Sequence, residues 1–182
     1  MVTADRLADQ LDWLSLACDP WIGAPDGLEL AGAEIVKRAA AECCACGAAD
    51  DVSAFFAFLV AGLRRHLASV DCELDVAAGA PAAADCVPAA WWLAMLVLAV
   101  ASDRPMTRAG APRIAVSLQP ITTKWQIMVT EDGDTLARAA ARLATAVNQI
   151  GERVSGAHGC QGGRWGSLVY LRFAAKTHAP AL

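Results

Sequence analysis

The strongest constraint on the fold is an apolar run in the middle of the chain. From Cys86 to Ala101, sixteen consecutive residues carry no charge, amide or hydroxyl. A membrane span needs about 20 such residues, and Pro88 near the start of the run suits the first position of a helix, where its missing N–H costs nothing. We therefore predict a buried helix from about 88 to 102 in a soluble domain, about 22 Å long.

The composition favours a generous core and argues against a nucleic-acid partner. Hydrophobic residues make up 56% of the 182 residues and charged residues 19%, which favours a folded chain over disorder. The net charge is −4, and there is no long basic run to follow a phosphate backbone. Because no apolar signal sequence is visible near the N-terminus, we expect a cytoplasmic protein with no membrane partner.

The first 67 residues have helical patterns. A first helix ends before Pro20, a second runs from about Leu28 to Cys46, and a third follows Asp50 or Asp51 as a possible N-cap. The leucines of the first helix recur at helical spacing: Leu7, Leu11 and Leu14.

Alternating apolar and polar residues predict strands in the rest of the chain. The segments "DCELDVA", "RIAVSLQ" and "KWQIMVT" alternate in this way, and the short "PITT" between the last two predicts an antiparallel hairpin. An alanine-rich helix is predicted over 135–150, and "GSLVYLRFA" is the last strand, with a further short strand near Glu152 to Ser155. The glycines of "SGAHGCQGGRWGS" are interpreted as a turn between strands. The order is three helices, then β-α-β-β-α-β, which predicts an α+β fold with helices on one face of a sheet.

This order, with three of its local phrases, resembles the histidine-kinase families of bacterial two-component signalling. The phrases are "DVSAFFAFLVAGLRRHLASVDCELDV", "VPAAWWLAMLVLAVASD" and "RIAVSLQPITTKWQIMVTEDGD". The resemblance covers about 50–175 and implies a degenerate histidine-kinase-ATPase-like α/β sandwich over residues 50–182. Residues 1–49 are then expected to form a helical hairpin that dimerises as a four-helix bundle, since two short helices cannot bury their apolar stripes alone.

The resemblance also implies that the nucleotide site has been lost. Active relatives carry Glu and Asn on the helix that corresponds to the apolar run, and these positions are Met95 and Ala99 here, which offer no oxygen ligand to a magnesium ion. In the strand-end box, Glu131 could replace the adenine-binding aspartate and Gly133 fits, but Thr135 replaces a glycine. No glycine-rich lid follows to present amides to a triphosphate.

Among smaller relatives, the chain resembles bacterial histidine phosphotransferases through "ACDPWIGAPDGLELAG", where the phosphoacceptor histidine position is Cys18. The first histidine of the chain is His66, which is interpreted as a helix-terminal residue or, alternatively, a relocated phosphoacceptor. His158 and His178 are expected on the surface. The acidic cluster Glu131, Asp132 and Asp134 is expected to be a solvated turn.

The remaining alternative is a metal or redox sensor built on four of the seven cysteines, although free and mostly buried thiols are the simpler interpretation. These four are Cys18, Cys43, Cys44 and Cys46.

We therefore expect a non-catalytic two-component signalling protein, a pseudo-histidine kinase or phosphotransferase-like adaptor. It acts as a homodimer that docks a histidine kinase or response regulator. No catalytic, cofactor-binding or metal-binding residue and no cofactor is predicted. If a reaction remains, it is phosphotransfer through His66 or another acceptor.

Overall fold

The structure, a computed structural model of the chain, describes residues 2–18, 27–66, 71–77, 81–103, 113–144, 150, 156–163 and 166–174. Three helices precede the first strand, and a mixed α/β region follows. The elements are α1 (Val2–Cys18), α2 (Leu28–Ala45), α3 (Val52–His66), β1 (Asp71–Val76), α4 (Ala83–Ser102), β2 (Arg113–Ile121), β3 (Lys124–Glu131), α5 (Thr135–Arg142), β4 (Ala157–Gly163) and β5 (Gly166–Phe173). The predicted α+β class is confirmed.

The five strands form one mixed sheet in the order β1-β2-β3-β5-β4. β1 and β2 are parallel and are connected through α4, whereas the other neighbouring pairs are antiparallel. The predicted hairpin of β2 and β3 is present. Burial alternates along β5, where Ser167, Val169, Leu171 and Phe173 are buried and the residues between them are partly exposed. The sheet therefore buries one face, and the helices cover it.

Helix α4 lies at the centre of the molecule and contacts α1, α2, α3 and α5. Every residue from Cys86 to Val100 is buried. By length and composition α4 could cross a membrane, but 94% of its most apolar window is buried inside the structure. The prediction that the apolar run is a core helix is therefore confirmed.

The predicted start of this helix was wrong. α4 begins at Ala83, so Pro88 lies inside the helix instead of at its first position. Alanine is the best helix former, and Asp85 in the first turn interacts favourably with the helix dipole, so these residues extend the helix upstream. Pro88 removes one backbone hydrogen bond in the second turn, and burial of the whole helix offsets that loss.

Three other boundaries differ from the sequence prediction. The glycine-rich segment that was interpreted as a turn contains strand β4, which pairs with β5 over its whole length. The segment predicted as one helix over 135–150 is interrupted: α5 ends at Arg142 with a turn at Leu143, Ala144 and Ile150 are again helical, and residues 145–149 lie outside the described residues. β2 continues through Pro120 to Ile121, so the hairpin turn is only two residues long. The short strand predicted near 152–155 lies outside the described residues.

The buried residues form one continuous hydrophobic cluster that includes α1, α2, α3, α4, α5 and the sheet. The domain boundary predicted between residues 49 and 50 falls in the turn that joins α2 to α3. The cluster continues across this point, because α1 and α2 pack on α4. The division into 1–49 and 50–182 stays a prediction.

Candidate functional site

One face of α4 carries Met95 and Ala99, the two positions that the resemblance aligns with metal ligands of active kinases. Trp91, Met95 and Ala99 are spaced four apart and therefore share this face, and each is at most 1% exposed. Gly32 of α2 lies directly on it, since a Cβ atom at Gly32 would be 3.1 Å from Met95 Cγ and 3.4 Å from Trp91 Cδ1. A larger side chain at position 32 would push α2 away, so this glycine permits the close contact.

Helix α1 and the first turn of α2 close the same face near Trp91. The indole N–H of Trp91 donates to the backbone carbonyl of Glu29 at 2.9 Å. The Trp13 ring of α1 meets the Trp91 ring edge to face, with centroids 6.0 Å apart. The two helices therefore hold α4 through a hydrogen bond and an aromatic pair.

An ion pair joins the start of α1 to the start of α4. Arg6 Nη2 lies 2.6 Å from Asp85 Oδ1. The other carboxylate oxygen of Asp85 is buried and has no hydrogen-bond partner among the described residues. Sequence reasoning did not find this contact or the tryptophan contacts. One sequence feature could have indicated these contacts. The Asp85 carboxylate and the Trp91 indole N–H are polar groups in a largely apolar helix, and such groups need hydrogen-bond partners when they are buried.

The face of α4 is thus covered by the chain's own α1 and α2. A magnesium ion needs oxygen ligands, which Met95 and Ala99 do not supply. A nucleotide at this face would also have to displace α2 from its contact at Gly32. We conclude that α2 packs directly against this face of α4 at Met95 and Trp91.

Glu131, the candidate adenine-binding carboxylate, is engaged in holding the start of α5. It is 6% exposed, and its Oε2 accepts a hydrogen bond from the backbone N–H of Leu136 at 2.7 Å. Ser167 on β5 lies next to it and donates its hydroxyl to the Gly133 carbonyl at 2.6 Å. A carboxylate at a helix N-terminus satisfies an otherwise unpaired amide and stabilises the helix dipole. This is the structural role of Glu131.

The acidic cluster therefore divides into two environments. Asp132 and Asp134 are exposed, as expected for a solvated turn, and Asp134 pairs with Arg138 at 2.6 Å. Glu131 is buried, so the prediction that it belongs to that solvated turn was wrong. The reason is that Glu131 is the last residue of β3 and continues its inward alternation.

A shallow depression of about 370 Å³ lies beside this turn, at the ends of β1, β2 and β3. Its lining residues include Glu73, Arg113, Glu131 and Asp132, and do not include Met95 or Ala99. The depression therefore contains one of the positions that the resemblance gives to a nucleotide site, Glu131, without the two positions on α4.

The four candidate cysteines are not brought together. The Cys18 thiol lies 3.9 Å from the Glu29 carbonyl at the start of α2, and the Cys43 thiol donates to the Ala48 carbonyl at 2.8 Å beyond its end. Fourteen residues of helix separate Glu29 from Cys43, which is about 20 Å. Among the described residues, no group of three or more His, Cys, Asp or Glu could hold a metal ion.

None of the seven cysteines forms a disulfide: Cys18, Cys43, Cys72 and Cys86 are buried, and Cys44, Cys46 and Cys160 are exposed. Burial raises the pKa of the Cys43 thiol to about 11, with a further contribution from the neighbouring Cys44, Asp51, Cys46 and Asp50. Burial also raises the pKa of Cys86. A raised pKa leaves less thiolate, which is the reactive and metal-binding form.

The histidines and the phosphoacceptor position are also separated. Cys18 is the last residue of α1 and is buried. His66 is the last residue of α3, and its side chain lies outside the described residues. His158 is exposed, as expected, but it lies in strand β4 and not in a turn. His178 lies outside the described residues. Phosphotransfer through His66 stays a prediction.

Comparisons with known proteins identify the fold. No protein-family model matches the chain, and a search of curated proteins finds no match. The histidine kinase domain from the blue-light-activated histidine kinase EL346 of Erythrobacter litoralis has a similar structure, with a TM-score of 0.61 and 10% identity over 95% of this chain and 92% of that chain.

A longer chain of the same Erythrobacter litoralis protein gives a TM-score of 0.63 at 10% identity, over 96% of this chain and 60% of that chain. At such low identity the similarity concerns the fold alone. It extends to nearly the whole chain, so α1 and α2 are included in it. The chain has a histidine-kinase-like fold.

Proposed function

We propose that this chain is a non-catalytic two-component signalling protein, a pseudo-histidine kinase or phosphotransferase-like adaptor in the cytoplasm. It docks to a histidine kinase or a response regulator and does not bind ATP. The histidine-kinase-like fold supports the signalling context. The observation that carries the proposal is the buried face of α4, where Met95 lies beneath Gly32 of α2 and Ala99 is fully buried.

Two independent features argue against nucleotide binding. The α4 face has no oxygen ligand for a metal ion at Met95 or Ala99. The carboxylate at the end of β3 is buried, and its Oε2 already accepts the Leu136 N–H, so Glu131 has a structural role in holding the start of α5. Each feature would require a local rearrangement of a buried region before a nucleotide could bind.

The absence of ATP binding can be tested by thermal unfolding with ATP and Mg²⁺. A ligand at 100 times its Kd stabilises a folded protein by about 2.7 kcal/mol, so a working site would raise Tm clearly. We expect no shift at millimolar ATP, and an active histidine kinase domain treated in parallel serves as the positive control. A saturable rise in Tm with ATP and Mg²⁺ would overturn this part of the proposal.

One experiment tests both docking and phosphotransfer: the chain is mixed with response regulators that are phosphorylated on their receiver aspartate. The proposal expects one of them to bind, measured by titration calorimetry, without transfer of label to this chain. Label that appears on the chain and disappears in His66→Ala would support the alternative, an active phosphotransferase. If neither binding nor transfer occurs with any response regulator or kinase of the same cell, the adaptor proposal fails.

The homodimer needs a different physical basis from the one that the sequence suggested. The expected four-helix bundle was meant to cover apolar stripes on α1 and α2. In the structure the buried apolar residues of both helices, including Leu7, Leu14 and Val36, belong to the core shared with α4, so that argument was wrong. Dimerisation stays a proposal, and it requires either release of α1 and α2 from α4 or another surface.

A further inference from the structure

The two edges of the sheet are protected very differently. Edge strands expose unpaired backbone groups, and proteins commonly protect them with charged side chains, proline or covering elements. On β1, one edge of the sheet, Glu73 and Asp75 are exposed, and Arg64 of α3 donates to the Cys72 carbonyl. This edge carries both charge and a covering contact.

Within the described residues, the opposite edge, β4, has neither charged side chains nor a covering strand. Its sequence "AHGCQGG" contains no Lys, Arg, Asp, Glu or Pro. β4 pairs with β5 on one side, and no described strand pairs with its other side. Four side chains of this strand are exposed, namely those of Ala157, His158, Cys160 and Gln161. A regular strand of seven residues therefore presents a neutral edge.

β4 is nevertheless held firmly by the rest of the sheet. All seven residues are in register with β5, from Ala157 opposite Arg172 to Gly163 opposite Gly166. The Tyr170 ring lies over Gly159, where a Cβ atom would be 2.6 Å from the ring, and the Arg172 guanidinium lies 4.8 Å from the Tyr170 ring centroid. The edge is thus already in the extended conformation that another strand would pair with, so little ordering would be needed.

We propose that β4 is an interface between two copies of this chain. The two β4 strands pair antiparallel across a two-fold axis near Cys160, the middle residue of the strand, and join two five-stranded sheets into one. A strand paired with its own copy repeats every charge across the axis. β4 has no carboxylate or ammonium group to repel its copy, whereas Glu73 and Asp75 would repel theirs on β1.

The small side chains of β4 favour a second copy over an unrelated peptide. Recognition of a foreign extended peptide depends on pockets for alternate side chains, and glycine and alanine provide none. A symmetric pair needs only the backbone hydrogen bonds of the two strands and closes after two copies. The inference does not depend on the proposed signalling function, because it concerns only the backbone and charge of one strand.

Cys160 provides a direct test by cross-linking. Opposite residues in an antiparallel pair have Cβ atoms about 5 Å apart, so a short bismaleimide can join two Cys160 thiols. The starting variant carries Cys44→Ser and Cys46→Ser, which leaves Cys160 as the exposed thiol. We expect a covalent dimer from this variant and none after Cys160→Ser. A matched control that keeps Cys44 and removes the other two exposed thiols should give no covalent dimer.

Sedimentation equilibrium on the full chain gives the second measurement. Gln161→Lys places a charge on each copy at the seam and should raise the dimer Kd by about tenfold or more. Ala57→Lys adds the same charge on an exposed position of α3 and should leave the Kd unchanged. A monomer at about 100 µM, or a dimer that is insensitive to Gln161→Lys and gives no Cys160 cross-link, would overturn the proposal.

Discussion

The indole N–H of Trp91, on the central helix α4, donates to the backbone carbonyl of Glu29 in the first turn of α2 at 2.9 Å. The thiol of Cys18, at the end of α1, lies 3.9 Å from the same carbonyl. One oxygen atom thus joins three helices. This junction places the N-terminal helices over the face of α4 that would carry phosphate ligands in an active relative.

The first prediction concerns the contact between α2 and α4. Gly32→Leu should lower the free energy of unfolding by about 1–3 kcal/mol, because the new side chain collides with Met95 in a packed interface. Ala31→Leu is the matched control, since Ala31 directly precedes Gly32 in α2 and is exposed. Urea denaturation measures both variants. Equal stability of the two would mean that α2 does not lie on α4.

The second prediction tests whether the space around Ala99, which the resemblance aligns with a metal ligand, is filled by packing. Ala99→Asn buries an amide without a partner and should cost about 1–3 kcal/mol. Ala101→Asn, two residues further along α4 and partly exposed, should cost much less. An open, hydrated cleft beside Ala99 would instead tolerate the asparagine, so a stability close to that of the wild type would contradict the structure.

The third prediction concerns Glu131 as a cap of α5. Glu131→Ala removes the acceptor of the Leu136 N–H and should cost about 1–2 kcal/mol, the usual range for loss of an N-terminal cap. Glu131→Gln keeps an oxygen acceptor and should cost less. Asp132→Ala changes an exposed carboxylate and should have little effect. Thermal or urea unfolding distinguishes the three variants, and an Asp132→Ala effect as large as that of Glu131→Ala would contradict the capping role.

The fourth prediction concerns thiol reactivity. Three of the seven cysteines are exposed, so Ellman's reagent should modify three thiols quickly in the native protein and the rest only after denaturation. The rapid group should consist of Cys44, Cys46 and Cys160, identified by mass spectrometry of the labelled peptides. Slow reaction of Cys44 and Cys46 that becomes fast with a zinc chelator would revive the metal-sensor alternative.

The fifth prediction is a pH dependence due to Cys43. Its pKa is raised from 9.0 to about 11 in the folded chain, so the folded state keeps the proton in a range where the unfolded chain loses it. The corresponding stability is present below pH 9 and is lost as the pH rises towards 11. Cys43→Ser keeps a donor for the Ala48 carbonyl but does not titrate in this range. Urea unfolding at several pH values between 8.5 and 10.5 should show a shallower decline for this variant than for the wild type.

Hydrophobic periodicity identified most of the elements. The apolar run could only be a core helix or a membrane helix, and the alternating segments are strands in the structure. The errors concern boundaries. Pro88 suggested the start of the helix, but α4 begins five residues earlier, at Ala83. The glycines around Cys160 suggested a turn, but they lie in strand β4. The sequence does not show that β5 pairs with this segment and that the Tyr170 ring occupies the space beside Gly159.

The sequence by itself determined the α+β class and the buried central helix, because these follow from the identity and spacing of the residues, whereas the correspondence of Met95 and Ala99 to metal-ligand positions stays a prediction from the resemblance. Only the tertiary structure decided what covers them. Contacts such as Arg6 with Asp85, or Gly32 with Met95, join residues more than sixty positions apart and leave no local pattern. The same long-range packing places β4 at an edge of the sheet, whereas the contact of Glu131 with α5 joins residues only five positions apart.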